Sequence, residues 1–149
     1  MSVSNTDELA TIGGVESLEW IGGLLTIYDN RKLERIDGFA RLSRVEWINI
    51  GSNPRLKEIR SLQHLETTSG LVIFNNARLG DMNGFSSLKS LSGNLLLKGN
   101  DALSDINGLQ HLDSVKTSVT IEDDGALGQC AVCRLKSNLK NTIAKNRSV

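Results

Sequence analysis

The chain has no net basic charge, only two cysteines and no long apolar segment, and each of these excludes a class of protein. Lys+Arg and Asp+Glu number 17 each, so the net charge of zero gives no support to nucleic-acid binding or to attraction by a membrane surface. Two cysteines are too few to define a disulfide scaffold. No apolar run approaches the ~18 residues of a membrane-spanning helix, so no membrane span is expected. The length of 149 residues fits one domain.

The start of the chain also lacks a recognisable targeting signal. Residues 1–8 contain no basic segment followed by an apolar one, which a secretory signal peptide requires. Taken literally, this predicts a cytoplasmic protein, but the same start fits a mature or trimmed fragment of a longer chain. The compartment is therefore left open by the sequence.

What the chain does have is a nine-residue pattern that occurs five times. It has aliphatic residues at its first and third positions, Asn (Asp in the last copy) at its sixth and Leu at its ninth. Its third copy is Leu71-x-Ile73-x-x-Asn76-x-x-Leu79. The anchor residues of the five copies are Asn30, Asn53, Asn76, Asn100 and Asp124, which lie 23, 23, 24 and 24 residues apart. A fixed period of this length indicates a solenoid of stacked coils.

The spacing inside each copy favours strands and short corners over long helices. Each copy begins with the alternation of a strand, as in Leu25-Thr26-Ile27. The following apolar positions recur every three residues, which places one inward side chain on each short face, whereas an amphipathic helix mixes steps of three and four. We therefore predict a mainly β solenoid of about five coils in a single domain. It comprises an N-terminal half-repeat (1–22), the repeat coils (23–128) and a C-terminal capping helix with a tail (129–149).

Two coils and both ends depart from the regular pattern. The second coil has Ser61 where the others have glycine and Thr68 where an aliphatic residue is expected. In a stack, each anchor Asn is expected to hydrogen-bond the next coil, and Asp124 keeps only the acceptor, which suits the last coil. Residues 129–145 carry Val132, Leu135, Leu139 and Ile143 at helical spacing and predict the amphipathic cap. Residues 1–8 are expected to be either loose or a short lead-in to the first coil.

The repeat resembles that of a known family. Residues 70–79, GLVIFNNARL, are similar to the repeat of receptor L domains, the leucine-rich, right-handed β-helical modules of epidermal-growth-factor and insulin receptor ectodomains. Residues 121–130, IEDDGALGQC, resemble their final turn, and the likeness extends over about residues 9–133. The resemblance implies a right-handed leucine-rich β-solenoid with a non-catalytic recognition role, at the cell surface or secreted if this is a fragment. The chain lacks the disulfide-rich module that adjoins these domains in the receptors.

The solvent face of the main sheet is the first candidate site. If Leu25, Ile27 and their copies point inwards, the residues beside them point outwards. The outward apolar side chains are expected to form a contiguous patch for a protein or ligand, with Tyr28 at its rim. The patch consists of Trp47, Val72, Phe74 and Leu96 together with Tyr28. The alternatives are self-association of the same face, or β-propensity on a solvated sheet without function.

Charged residues supply a second candidate. Lys32, Arg55 and Arg78 occupy the same position of successive coils and would stack as an anion-binding strip, or belong to a solvated lattice of charges with nearby acids. Residues 31–60 carry eight Lys/Arg and four Asp/Glu, whereas residues 100–124 carry six Asp/Glu and one Lys. This asymmetry would steer a partner or favour head-to-tail association.

Other chemistry-bearing residues do not make a convincing site. His64 and His111 lie in alternate coils, too far apart to share a metal, so no metal or cofactor is expected. Cys130 and Cys133 form a Cys-x-x-Cys pair, for which we favour structural burial over redox chemistry and leave disulfide formation open. Asn146-Arg147-Ser148 is a glycosylation sequon that matters only in a secreted chain. The sequence thus predicts a non-enzymatic recognition module, or alternatively a structural or self-assembling repeat module.

Overall fold

The computed structural model describes residues 1–139, in which short parallel strands wind into a solenoid. The strands are β1 (Ser2–Ser4), β2 (Thr11–Ile12), β3 (Trp20–Tyr28), β4 (Arg35–Ile36), β5 (Arg44–Gly51), β6 (Glu58–Ile59), β7 (Thr67–Thr68), β8 (Gly70–Phe74), β9 (Ser90–Leu91), β10 (Asn94–Lys98), β11 (Ser114–Val115) and β12 (Ser118–Glu122). Two 3₁₀ helices, Asn83–Phe85 and Asn107–Leu109, form corners, and one α-helix, α1, spans Gln129–Asn138.

Three parallel sheets form the faces of the solenoid. The largest has six strands in the order β1-β3-β5-β8-β10-β12, and the smaller ones have the orders β2-β4-β6 and β7-β9-β11. In the large sheet Ile50 pairs with Ile73, and Ile73 pairs with Leu97. Equivalent positions of successive repeats therefore lie side by side in adjacent coils. The predicted parallel β-solenoid of about five turns with a C-terminal helix is confirmed.

The repeated aliphatic positions form the core. Ile27, Ile50, Ile73 and Leu97 have no exposed surface, and the same holds for most buried residues of the three-residue steps, such as Leu33. Each such side chain contributes about 1.5–3 kcal/mol of transfer free energy on burial. Because neighbouring coils supply almost all of these contacts, stability depends on stacking and not on any coil alone.

The anchor residues form a continuous polar row inside this core, which we call the asparagine ladder: Asn30, Asn53, Asn76, Asn100 and Asp124. The backbone N–H and side-chain Nδ2 of Asn53 both donate to Asn76 Oδ1, at 3.1 and 3.2 Å. Asn76 donates in the same way to Asn100 Oδ1, and its Nδ2 also donates to the Ile50 carbonyl oxygen at 3.0 Å. The predicted coil-to-coil bonding is confirmed, and it leaves these buried amides paired.

Each ladder residue follows a corner that requires an unusual backbone. Asp29, Ser52, Asn75 and Asp123, which directly precede anchors, have φ between 52° and 55°, and Gly99 has φ 66°. Asn, Asp and Gly tolerate this left-handed region better than other residues. The corner therefore explains why Asp, Asn or Gly precedes four of the five anchors, with Ser52 as the exception, a feature that the anchor spacing alone does not reveal.

The irregular second coil uses its two polar residues to bond the coil before it. Ser61 Oγ accepts from the Phe39 N–H at 3.1 Å and donates to the Ile36 carbonyl oxygen at 3.3 Å. Thr68 is buried, and its hydroxyl donates to the Glu46 carbonyl oxygen at 3.0 Å. Both hydroxyls are therefore hydrogen-bonded. A polar residue in place of the usual glycine or aliphatic residue leaves no buried hydroxyl unpaired at either position.

The ends of the solenoid differ from expectation in two details. Of the two alternatives for residues 1–8, the loose one is wrong for Ser2–Ser4, because these residues pair with Thr26–Tyr28 as the edge strand of the large sheet. Helix α1 buries Leu135 against the last coil, as predicted, but it ends at Asn138, and Leu139 has extended backbone. Ile143 and the sequon at Asn146 lie outside the described residues.

The final residue of the ladder makes stability depend on pH. Asn100 donates twice to Asp124 Oδ1, at 2.7 and 3.0 Å, but burial dominates and raises the pKa of the Asp124 carboxyl. A carboxyl with a raised pKa favours the folded state while protonated. Its stabilisation is complete below the ordinary pKa of 3.8 and is lost as the pH rises through the folded-state pKa.

We therefore expect Asp124→Asn to raise the Tm at neutral pH by about 1–3 °C, with no gain well below the ordinary carboxyl pKa. The new Nδ2 can donate to the Leu97 carbonyl oxygen, as Asn100 Nδ2 does to that of Ile73. Thermal unfolding followed by circular dichroism across pH measures the difference. Asp113→Asn, at an exposed position away from Asp124, is the control. An equal gain at all pH values would contradict this account.

Candidate binding surface

The outward residues of the six-stranded sheet lie where the alternation predicts. Trp47 is beside Leu24 and Gly70, Val72 is beside Asn49 and Leu96, and Phe74 is beside Gly51 and Lys98 in register. Their neighbours along each strand, such as Ile48 and Ile73, are fully buried. The register therefore brings the five predicted patch residues onto one side of the sheet. We call Tyr28, Trp47, Val72, Phe74 and Leu96 the aromatic patch.

Two rings of the aromatic patch meet over a glycine. Tyr28, Gly51 and Phe74 occupy the same row of three successive strands. The centroids of the Tyr28 and Phe74 rings are 6.1 Å apart at an interplanar angle of 35°. A Cβ at Gly51 would overlap the Phe74 ring, so the ring lies over the glycine backbone. Gly51 is thereby buried although it belongs to the outward row.

Trp47 covers its neighbouring strand in the same manner. A Cβ built on Gly70 would be 2.7 Å from three atoms of the indole, and one at Gly93 would be 3.6 Å from Trp47 Cζ3. The indole thus extends sideways over two glycines instead of standing up from the sheet. As a result Trp47 and Phe74 are half-buried, whereas Tyr28 keeps 39% of its surface exposed. Glycine in the facing position is what allows each ring to lie flat.

The centre of the surface is less aromatic and partly polar. Val72 and Leu96 are half-buried and lie side by side, and Asn49 follows Val72 in the same row. Asn49 Oδ1 is buried and has no hydrogen-bond partner among the described residues. The patch therefore combines apolar area with one buried acceptor that has no partner among the described residues.

The sequence prediction missed the two most exposed large apolar side chains of the sheet. Trp20 is 61% exposed and Leu24 is 47% exposed, and both belong to β3. Leu24 is in the predicted outward row, but Trp20 precedes a bulge at Gly22-Gly23, where the register with β5 shifts. Trp20 itself lies before the bulge, pairs in register with Arg44 and directly precedes the buried Ile21. Alternation with Ile21 was therefore the available signal for the outward position of Trp20.

The three cations of the proposed anion strip do not share one environment. Lys32 Nζ lies 2.8 Å from both carboxylate oxygens of Glu8, which occupies the same position one coil earlier. Arg55 and Arg78 are exposed. The pKa of the Glu34 carboxyl is lowered mainly by the Lys57 ammonium that bonds it, and the charges of Arg55 and Arg78 lower it further. The neighbourhood thus contains ion pairs between coils, such as Lys57 Nζ to Glu34 Oε2 at 3.0 Å.

The cysteines contradict the expected burial. Cys130 and Cys133 are both exposed free thiols on the first two turns of α1. By the repeat spacing, Cys130 would follow Ile106 in a column of inward residues. The chain turns into α1 at Gln129, so Cys130 does not face inwards, and Leu135 of the helix is buried in the core. His64 and His111 are exposed on the corners. Within residues 1–139 no three His, Cys, Asp or Glu side chains converge in a way that would hold a metal ion.

Comparison with protein-family models, curated proteins and solved structures finds no significant match to this chain. Conclusions about its function must therefore rest on its own geometry. In the described part of the chain, no helix is both long and apolar enough to cross a membrane.

Proposed function

We propose that this protein is a non-catalytic recognition module that binds a protein or ligand through the aromatic patch. The single observation that supports this most is the placement of Trp47 and Phe74 flat over glycines of the adjacent strands. Aromatic residues are enriched in the energetically dominant parts of binding surfaces. Rings already held by the sheet lose little further conformational freedom when a partner covers them.

The surroundings of the patch also fit recognition better than catalysis. The half-buried Asn49 is the one amide in an otherwise apolar centre, and Lys98 at the margin is paired with Glu122 at 3.2 Å. A receptor-L-domain relationship, suggested by residues 70–79, belongs to the same proposal. It predicts that the partner is a protein or ligand met by a surface and not a substrate held in a cleft.

Val72→Lys tests the proposal with little risk to the fold. Val72 is half-buried at the centre of the patch, and its side chain covers neither Gly51 nor Gly70. A lysine there places a charge where a partner would desolvate it, so we expect at least about tenfold weaker binding. Proteins retained from a source extract by the immobilised wild-type chain are identified first, and the affinity of each for the variant is then measured by surface plasmon resonance.

Ser114→Lys, on the β7-β9-β11 sheet, is the matched control, because it adds the same charge at a half-buried strand position on another face. Trp47→Ala with Phe74→Ala should also abolish binding, but it uncovers Gly70 and Gly51, so its Tm must be measured beside it. Unchanged affinity of the Val72→Lys variant for every retained protein would reject the patch. Concentration-dependent association of the wild type that Val72→Lys removes would instead favour the self-assembling alternative.

A further inference from the structure

The indole of Trp47 is stacked face down on the backbone of the neighbouring strand. A Cβ built on Gly70 would be 2.7 Å from each of three consecutive atoms of the six-membered ring, Cε2, Cζ2 and Cη2. A point equidistant from these three atoms lies on the axis through the centre of the ring, so the ring is centred over Gly70. Cζ3, opposite Cε2, would be 3.6 Å from a Cβ on Gly93 of the following coil, so the ring extends across the sheet. One face of the indole therefore covers backbone and the other is turned towards solvent.

Phe74 supplies a second flat ring at the other end of the same strands. A Cβ on Gly51 would overlap Cε1 and Cζ of Phe74, so this ring covers a glycine of the preceding strand. Gly51 and Gly70, which mark the two rings, are one strand and four residues apart, a separation of ~14 Å at ordinary strand spacings. Tyr28, whose ring centroid is 6.1 Å from that of Phe74, enlarges this end of the surface.

The sheet surface around and between the two rings carries no unpaired charge. In the outward rows of β3, β5, β8, β10 and β12 the only charged residues are Lys98 and Glu122, and they bond each other at 3.2 Å. The other polar residues of these rows have hydroxyl or amide groups, which hydrogen-bond without charge. Charges of both signs flank the face where the chain enters and leaves it, namely Arg44, Glu46 and Lys116 on one side and Asp29 and Asp123 on the other. An ionic ligand would therefore find no counter-charge between the rings.

Flat aromatic faces separated by neutral hydrogen-bonding groups match the chemistry of a sugar. A pyranose ring directs C–H groups from its faces, which the negative face of an aromatic ring attracts, and hydroxyl groups from its edge, which amides and hydroxyls bond. The aromatic anchors of protein interfaces instead insert into pockets of the partner. Trp47 and Phe74 lie on their own sheet and project little from it, so they are suited to support a ligand and not to enter one.

We propose that the aromatic patch binds a neutral oligosaccharide whose sugar rings stack on Trp47 and Phe74. This inference rests on the proposed function, because it specifies the ligand of the same surface. The separation of the two rings exceeds the width of one sugar, so the ligand is a chain of several sugars and not a monosaccharide. Because no charge of the ligand takes part, the affinity should depend little on salt concentration.

The test measures binding of the full chain to a printed array of neutral and acidic glycans. At least one neutral glycan should be retained, and the same oligosaccharide, free in solution, should bind in isothermal titration calorimetry. Raising the NaCl concentration about tenfold should change its Kd by less than about twofold. The chain has two tryptophans, so Trp20→Phe leaves Trp47 as the single indole, and its fluorescence should change when the oligosaccharide is added.

Trp47→Leu with Phe74→Leu removes both flat rings but keeps an aliphatic side chain beside Gly70 and Gly51. We expect at least about tenfold weaker binding of the oligosaccharide by this variant. Tyr28→Phe keeps its ring and is the matched control, whose Kd should stay within about threefold of the wild type. Val72→Lys leaves all three rings in place and should also weaken binding, so the test does not depend on the stability of the double variant.

The outcomes separate this inference from the proposed function. The sugar is wrong, and a recognition surface remains, if no neutral glycan is retained while a protein binds through the patch and binds equally after enzymatic removal of its glycans. Both proposals fail if neither glycan nor protein loses affinity for the Val72→Lys variant. The oligosaccharide is also overturned if acidic glycans bind more tightly than neutral ones, or if the double leucine variant binds as the wild type.

Discussion

Replacing Asn76 with alanine should destabilise the protein by about 3–5 kcal/mol, a large part of the 5–15 kcal/mol that stabilises a typical domain. Asn76 Oδ1 accepts from both the backbone N–H and Nδ2 of Asn53, and Asn76 Nδ2 donates to the carbonyl oxygens of Ile50 and Phe74. Truncation leaves the Asn53 N–H without an acceptor inside the core. Each buried polar group that loses its partner adds about 1–3 kcal/mol.

Urea unfolding monitored by circular dichroism measures this loss. Asn83→Ala is the control, because Asn83 is exposed, and its midpoint should change little. Asn76→Asp sharpens the experiment. It keeps the acceptor for Asn53 but places a carboxylate against Asn100 Oδ1, so it should not restore stability. If Asn76→Ala unfolds at the wild-type midpoint, the ladder is not a source of stability.

Gly108→Ala should be the second most damaging single change, at about 3 kcal/mol. A Cβ at Gly108 would overlap the carbonyl group of Met82 and approach the Asn83 nitrogen to 2.8 Å. These are backbone atoms of the preceding coil, so no side-chain rotation relieves the overlap. The two coils must separate at this corner, and separation loosens the stacked core around Leu109.

Gly80→Ala is the matched control, since nothing lies within 4 Å of its added Cβ. We expect its Tm to stay within a few degrees of the wild type, whereas Gly108→Ala should lower the Tm by about 6–12 °C. If both substitutions lowered the Tm equally, the loss of glycine's backbone freedom would explain the effect, and the close approach of the two coils at Gly108 would not. Ser61, at the equivalent position of the second coil, fits because its hydroxyl bonds Ile36 and Phe39.

Most of the fold follows from the period. The spacing of Asn30, Asn53, Asn76 and Asn100 requires stacked coils, since only stacking pairs each buried amide. Alternation then decides which side of each strand faces outwards, so Val72 and Phe74 could be assigned to the surface correctly. Element ends were less accurate, since the amphipathic pattern predicts a helix as far as residue 145, whereas α1 ends at Asn138.

The sequence alone determined the stack, its register and its inward columns, because these depend on spacing that repeats in every coil. Tertiary structure decided what happens where the repeat is broken. The indole of Trp47 lies over Gly70, Ser2–Ser4 pairs with β3, and Cys130 faces solvent. Each of these depends on a neighbour from another coil or on an end with no neighbour, and a one-dimensional pattern does not specify such contacts.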